Sequence, residues 1–154
     1  MAPERFLPTL SPAVRNRVFR EFTFPGDSGS MVAARQAVMD FITPHCSSEL
    51  EEIDILIALQ EALANAVIHG CQNDSSKRIS CSVEIDPVGI TIVIRDPGPG
   101  FDVKAITRSS GADANTTEHG RGICLMRSLM DEVIYRQGGA EVQLRKLRGL
   151  SNTA

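Results

Sequence analysis

At 154 residues, 42% of them hydrophobic, the chain has material for one self-sufficient core and reads as a single domain. Sixteen basic residues against nineteen acidic ones leave a net charge of −3, which argues against a nucleic-acid or membrane-surface protein. Six Phe, one Tyr and no Trp leave little from which to build base-stacking platforms.

No apolar run approaches the ~18 residues of a membrane span, and the opening residues form no secretory signal. Four cysteines (Cys46, Cys71, Cys81, Cys124) lie at scattered spacings without a CxxC. They read as reduced, buried thiols of a cytoplasmic protein rather than as zinc ligands.

Residues 1–14, with Pro3, Pro8 and Pro12, read as a loose arm ahead of one domain over 15–148, and 149–154 as a short tail. Arg17 to Phe24 alternates enough to be a first strand. Pro25 to Ser30 breaks the chain and caps a helix whose apolar face is Met31, Ala34, Val38, Phe41 and Ile42, ended by Pro44. A second helix opens at Ser48, with Glu51 completing a capping box, and runs to about Ile68. Ile53, Leu56, Ile57, Leu63, Ala64 and Val67 are its expected core residues, and Gly70 suits a left-handed C-cap.

Arg78–Asp86 and Gly89–Arg95 read as a hairpin turned at Pro87-Val88-Gly89. Asp96 to Phe101 is a turn-rich loop, and 102–119, polar and small, is expected to be a mobile lid. A third helix is expected from about Gly120 or Arg121 to Met130, then a last hairpin of 132–136 and 141–146 around Gly138-Gly139. This order predicts an α+β two-layer sandwich, one mostly antiparallel sheet with three helices on one face.

Three segments carry chemistry. In Glu61-Ala-Leu-Ala-Asn65-Ala-Val-Ile-His69-Gly70, each four-residue step advances a helix by roughly 400°, so Glu61, Asn65 and His69 share one stripe. Polar groups set among Ala, Leu, Val and Ile need partners or cost stability. The amide oxygen of Asn65 suits a hard cation such as Mg²⁺, and Glu61, one turn back, suits a general base. Next, Ile92-Val-Ile-Arg-Asp96-Pro-Gly98-Pro-Gly100-Phe101 delivers a carboxylate from an apolar strand into a double-glycine turn. There Asp96 would accept from an adenine amino group and oppose the guanine carbonyl, while Gly98 and Gly100 admit backbone close to a ligand. Last, Glu118-His119-Gly120-Arg121-Gly122-Ile123-Cys124-Leu125-Met126 places glycines at a loop-to-helix junction, an anion site to which Arg121 adds a cation.

In order and spacing these segments resemble the N, G1 and G2 boxes of the Bergerat-fold (GHKL) ATPases, and within them the bacterial anti-sigma-factor serine kinases. The likeness runs from about Arg17 to Leu147 and takes in Leu129-Met-Asp-Glu-Val133. It implies ATP with Mg²⁺ held through Asn65, Glu61 as the base for phosphoryl transfer and Asp96 on adenine. It also implies nucleotide binding by Gly98, Gly100, Gly120, Arg121, Gly122, Ile123 and Cys124. Cys124 is a departure, since the family often has Gly or Thr there.

As to function, the resemblance implies a cytoplasmic homodimer that holds a sigma factor inactive and phosphorylates a serine on a small anti-anti-sigma (STAS-type) partner, without direct nucleic-acid or membrane contact. The alternative is a nucleotide-sensing sequestering module with weak or no kinase activity. Protein-kinase signatures and a Walker A loop are absent. A sensor histidine kinase is disfavoured because residues 1–14 hold no phosphoacceptor histidine.

Overall fold

A computed structural model describes residues 16–108 and 118–149. The expected arm over 1–14, all of the expected tail beyond Gly149, and 109–117 of the expected lid lie outside them. Five strands form one antiparallel sheet: β1 (Val18–Pro25), β2 (Arg78–Ile85), β3 (Gly89–Arg95), β4 (Glu132–Arg136) and β5 (Glu141–Leu147), in the order β1-β2-β3-β5-β4. Helices α1 (Met31–Ile42), α2 (Glu49–Asn65), α3 (Val103–Arg108) and α4 (Glu118–Leu129) complete the α+β sandwich, the long ones packed on one face.

The sheet follows from period-2 alternation. Ile79, Cys81, Val83 and Ile85 of β2 and Ile90, Ile92 and Ile94 of β3 turn to the helices and are at most 2% exposed. The alternate residues Ser80, Ser82, Thr91 and Val93 lie on the opposite face, which no described helix covers. The β2–β3 turn is held by Asp86, whose carboxylate accepts from the N–H groups of Val88 and Gly89 at 2.8 and 3.0 Å. β1 is an edge strand: Phe22 and Phe24 pack toward the core with Phe41, and the Arg20 guanidinium lies 5.1 Å from the Phe41 ring centroid.

One half of the expected capping box forms, and the other is displaced by one residue. Ser48 Oγ accepts from Glu51 N–H at 3.1 Å, and Glu51 reaches back to the N–H of Ser47, one residue before the cap, at 3.3 Å. From there α2 and its continuation to Gly70 span 22 residues with the length and hydropathy of a membrane segment, yet they are the central helix of the fold. Its buried line is Ile55, Ala58, Leu59, Ala62, Leu63, Ala66 and Val67. Ile53, expected in the core, is 49% exposed, and Leu56, Ile57 and Ala64 are half-buried, because the apolar arc is wider than the face the sheet covers. The cysteine expectation also divides: Cys71 and Cys81 are buried, Cys46 is partly so and Cys124 is exposed, all four being free thiols.

Two further differences lie after β3. Part of the expected lid is helical, as α3, and α4 is already formed at Glu118, before the expected start at Gly120 or Arg121. Behind the core, Lys146 of β5 bonds Asp54 of α2 at 3.0 Å and the Leu129 carbonyl at the end of α4, tying three elements together. Replacing Ser48 by Ala should lower unfolding stability by about 1 kcal/mol, read as a shifted urea midpoint at constant m-value. An unchanged midpoint would refute the cap's contribution.

Candidate functional site

The site forms where α2 meets the end of β3. After Asn65 the helix widens into a π turn, Ala66–Gly70, a local irregularity of the kind that clusters at functional sites. Gly70 is not left-handed, contrary to the expected C-cap; the positive φ angles fall instead on Gln72 (52°) and Asn73 (56°). Gly70 is needed for a different reason. A methyl placed on it would come 2.1 Å from Asp96 Cγ, and one on Gly98 would come 2.6 Å from the Gly70 carbonyl oxygen. Helix end, carboxylate and glycine turn are therefore in mutual contact through positions that admit no Cβ.

Asp96 is fixed on both sides. Its N–H donates to the Ala140 carbonyl at 3.0 Å, and its Oδ1 accepts from Gly98 N–H at 2.8 Å. The loop then closes on the last hairpin: Phe101 N–H donates to the Gly138 carbonyl at 2.7 Å. Gly100, at φ 78°, carries hydrogen where a methyl would lie 2.1 Å from that same oxygen. On the sheet's opposite face, Glu141, buried at 5% exposure, pairs with Arg95. That pair clamps the end of β3 to the start of β5 directly beneath this loop.

These contacts enclose a pocket. Its floor is the cross-strand row Ile94, Val142 and Tyr135, its helix wall Ala62, Asn65, Ala66 and His69, and its mouth Asp96, Gly100 and Phe101. Of the sequence-predicted residues, Asn65, Asp96 and Gly100 line it directly, and Gly98 buttresses Asp96 from behind. Tyr135, Val142, Gly139 and Ala140 were missed because no local pattern marks them; they arrive through strand pairing. Tyr135 is the chain's single tyrosine and meets Phe101 edge-on at 5.4 Å between ring centroids.

Glu61, Arg121 and Gly122 line an adjoining depression. Gly122 lies against the polar stripe of α2: a methyl there would be 2.9 Å from Glu61 Oε2 and 3.6 Å from Asn65 Nδ2. The glycine thus brings the α4 backbone beside the carboxylate and amide. Gly120 is buried, Ile123 is fully buried in the core, and Cys124 is exposed. Any ligand contact from Ile123 is therefore limited to its backbone. Because α4 is regular from Glu118, the N–H groups of Gly122, Ile123 and Cys124 fall inside its i→i−4 run rather than at a loop junction.

Two observations mark the pocket as polar and incompletely satisfied. Asn65 Nδ2 is buried without a hydrogen-bond partner, an arrangement that costs stability unless something else completes it. Burial also pushes the Asp96 carboxyl above its ordinary pKa, the Gly98 N–H opposing this in part. An unpaired amide donor and an acceptor carboxylate in a partly dry cleft, with glycines at the close backbone approaches, fit an occupant that carries both acceptors and donors, as a nucleotide does. The other amide atom, Asn65 Oδ1, is the type of ligand a hard cation takes.

A long central helix over an antiparallel sheet, with a pocket between its last turns and the sheet end, defines an ATPase-type sandwich. The family model for the histidine kinase-like ATPase domain matches residues 24–146, and the chain belongs to that family. It is 30% identical over 138 residues to an anti-sigma F factor of Geobacillus stearothermophilus, covering 86% of this chain and 93% of that one. Against the anti-sigma F factor of Clostridium novyi the identity is 33% over 142 residues, covering 88% and 97%. A serine-protein kinase RsbW of Staphylococcus epidermidis is 37% identical over 102 residues, covering 60% and 64%.

The Asp96 environment sets a pH dependence. A carboxyl with a raised folded-state pKa contributes stability below its unfolded pKa and loses it as pH rises through the raised value. The ligand-free protein therefore carries a penalty at neutral pH, and Asp96→Asn, which keeps an acceptor for Gly98 N–H, removes it. Thermal unfolding at pH 7 should show the variant at least as stable as the parent, with the gap closing as pH falls below the ordinary carboxylate range. A less stable variant at pH 7 would count against this account.

Proposed function

We propose that this chain is an ATP-dependent protein-serine kinase that also acts as an anti-sigma factor, binding a sigma factor and phosphorylating a serine on an anti-anti-sigma partner of STAS type. The observation that carries the reading is the junction of Glu61, Asn65 and Gly122 beside the Asp96 pocket, in a chain that matches anti-sigma F factors along most of its length. Asp96 would accept from the adenine amino group, held in place by Gly98 and Gly100, whose missing side chains let the loop pack on Gly70 and Gly138. Asn65 would hold Mg²⁺, which when bound neutralises charge on the phosphates. Arg121 and Gly122, the α4 residues that line the depression beside Glu61, would approach the phosphates, Arg121 supplying positive charge, whereas Ile123 is turned into the core. Glu61 would take the proton of the attacking serine.

The chain acts in the cytoplasm as a homodimer in this reading. Among the described residues β1 is a sheet edge, with Phe19 57% and Val18 39% exposed, and self-association would use this strand. A single domain over 15–148 carries these activities.

Glu61→Gln should leave Mg-ATP affinity within about twofold and lower phosphoserine formation on an added STAS-type partner by roughly 10²- to 10⁴-fold, measured by phosphosite mass spectrometry and calorimetry. Tight ATP binding by the parent with no phosphoserine on any such partner would sink the kinase assignment. Asp96→Asn should weaken ATP binding by about tenfold or more, because a charged acceptor is lost. Unchanged affinity would refute the role given to Asp96.

A further inference from the structure

Among the described residues, four buried side-chain nitrogen or oxygen atoms have no hydrogen-bond partner: Asn65 Nδ2, Tyr135 Oη, Arg145 Nε and Arg148 Nε. The two arginines are elsewhere. Arg145 pairs across the sheet with Thr91 on the face away from the helices, and Arg148 borders a depression beside His45 and Asp86. Asn65 and Tyr135 converge on the same pocket.

A buried phenol with no partner is costly in the ligand-free protein, since tyrosine hydroxyls inside proteins usually find one. Its position is set by the sheet. Tyr135 is directly opposite Val142, which is opposite Ile94, so the three side chains form one row across β4, β5 and β3. With strands about 4.8 Å apart, the row spans roughly 10 Å, the width of a flat heterocycle with a polar group at each side. Asp96, two residues beyond Ile94, stands at the β3 side and offers an acceptor; Tyr135 stands at the β4 side with a donor. The Phe101 ring packs edge-on against Tyr135 and restricts its rotation. Burial holds the phenol in its protonated, donating form, shifted well above its ordinary pKa.

We infer that Tyr135 is a second base-reading residue of the nucleotide pocket, its hydroxyl donating to a ring nitrogen of the purine, directly or through one ordered water, while Asp96 accepts from the exocyclic amine. The inference rests on the nucleotide-binding reading above and adds to it a residue from the last hairpin. Recognition is then two-sided: an amino group at one edge of the ring and a lone pair at another. Unsubstituted apolar heterocycles satisfy neither group, and each unfilled position leaves a buried polar atom unpaired.

Tyr135→Phe removes the hydroxyl alone. Calorimetric titration with Mg-ATP should show a fivefold to tenfold loss of affinity relative to the parent. The melting temperature of the ligand-free variant should be equal to or above the parent's, because an unpaired buried hydroxyl has been deleted. Among 1-deaza-, 3-deaza- and 7-deaza-ATP, one should bind parent and variant equally, identifying the nitrogen that receives the bond. Equal ATP affinity in parent and variant would overturn the inference, as would a clear fall in the ligand-free melting temperature. It is overturned too if all three deaza analogues still separate parent from variant. A parent that binds no ATP fails the nucleotide reading itself, and the inference falls with it, an outcome visible before any variant is made.

Discussion

The structure turns on the contact between the end of α2 and the Asp96 turn. Gly70 touches the carboxylate, and Gly98 touches the carbonyl of Gly70, at separations that leave no room for a Cβ at either glycine. Without this contact the polar stripe of α2 and the acceptor at the end of β3 would belong to separate surfaces. With it they share one cleft, and the distance from Asn65 to Asp96 is set by backbone rather than by flexible side chains. The widened turn at Ala66–Gly70 lies at this contact, where the helix end meets the loop. Sites placed on such rigid elements keep their geometry better than sites carried on loops alone.

A second set of contacts fixes the opposite wall. Backbone bonds from Asp96 to Ala140 and from Phe101 to Gly138 join the loop to the last hairpin, and the buried Glu141 with Arg95 clamps the same strands from the far face. A buried carboxylate is costly when alone and tolerable when paired, so this clamp is best understood as positioning rather than as net stabilisation. The pocket is thus assembled from three stretches of chain, around residues 62–70, 94–101 and 135–142. Asn65 and Tyr135 bring polar atoms into it that nothing within the described protein satisfies. Stability is withheld at the place where a ligand would restore it.

Much of this architecture was legible in the sequence, for identifiable reasons. The strands of the central hairpin alternate so regularly (Ile79, Cys81, Val83, Ile85 against Ile90, Ile92, Ile94) that their register has one solution that buries both apolar sets. Ser48 and Glu51 marked the start of α2, and the Glu61–Asn65 spacing placed two polar groups on one stripe. The reading of α2's interior was poorer. Ala, Leu and Ile surround nearly the whole helix, so the periodicity that points to Ile53 is weak, and the sheet buries Ile55 instead. Gly70 was correctly singled out but given a conformational role; its true constraint is a neighbour 26 positions along the chain, which local pattern does not reveal. Tyr135 is invisible for the same reason, being one exposed-buried step in an ordinary edge strand until β5 aligns it with Val142.

The sheet order has a consequence for how the protein comes into being. Among the described residues β1 pairs only with β2, so Val18 waits for Ile85 before it has a partner, and this early strand is among the last to be secured. The β2–β3 hairpin, local and strongly alternating, is the natural place for ordering to begin, while pairings across long stretches of chain come later. The pocket needs the final hairpin as well, since its floor includes Val142 and Tyr135. During synthesis, then, a truncated or stalled chain would present the α2 stripe and the Asp96 turn without the wall that completes them. A complete pocket is therefore available only once the chain has been made through β5.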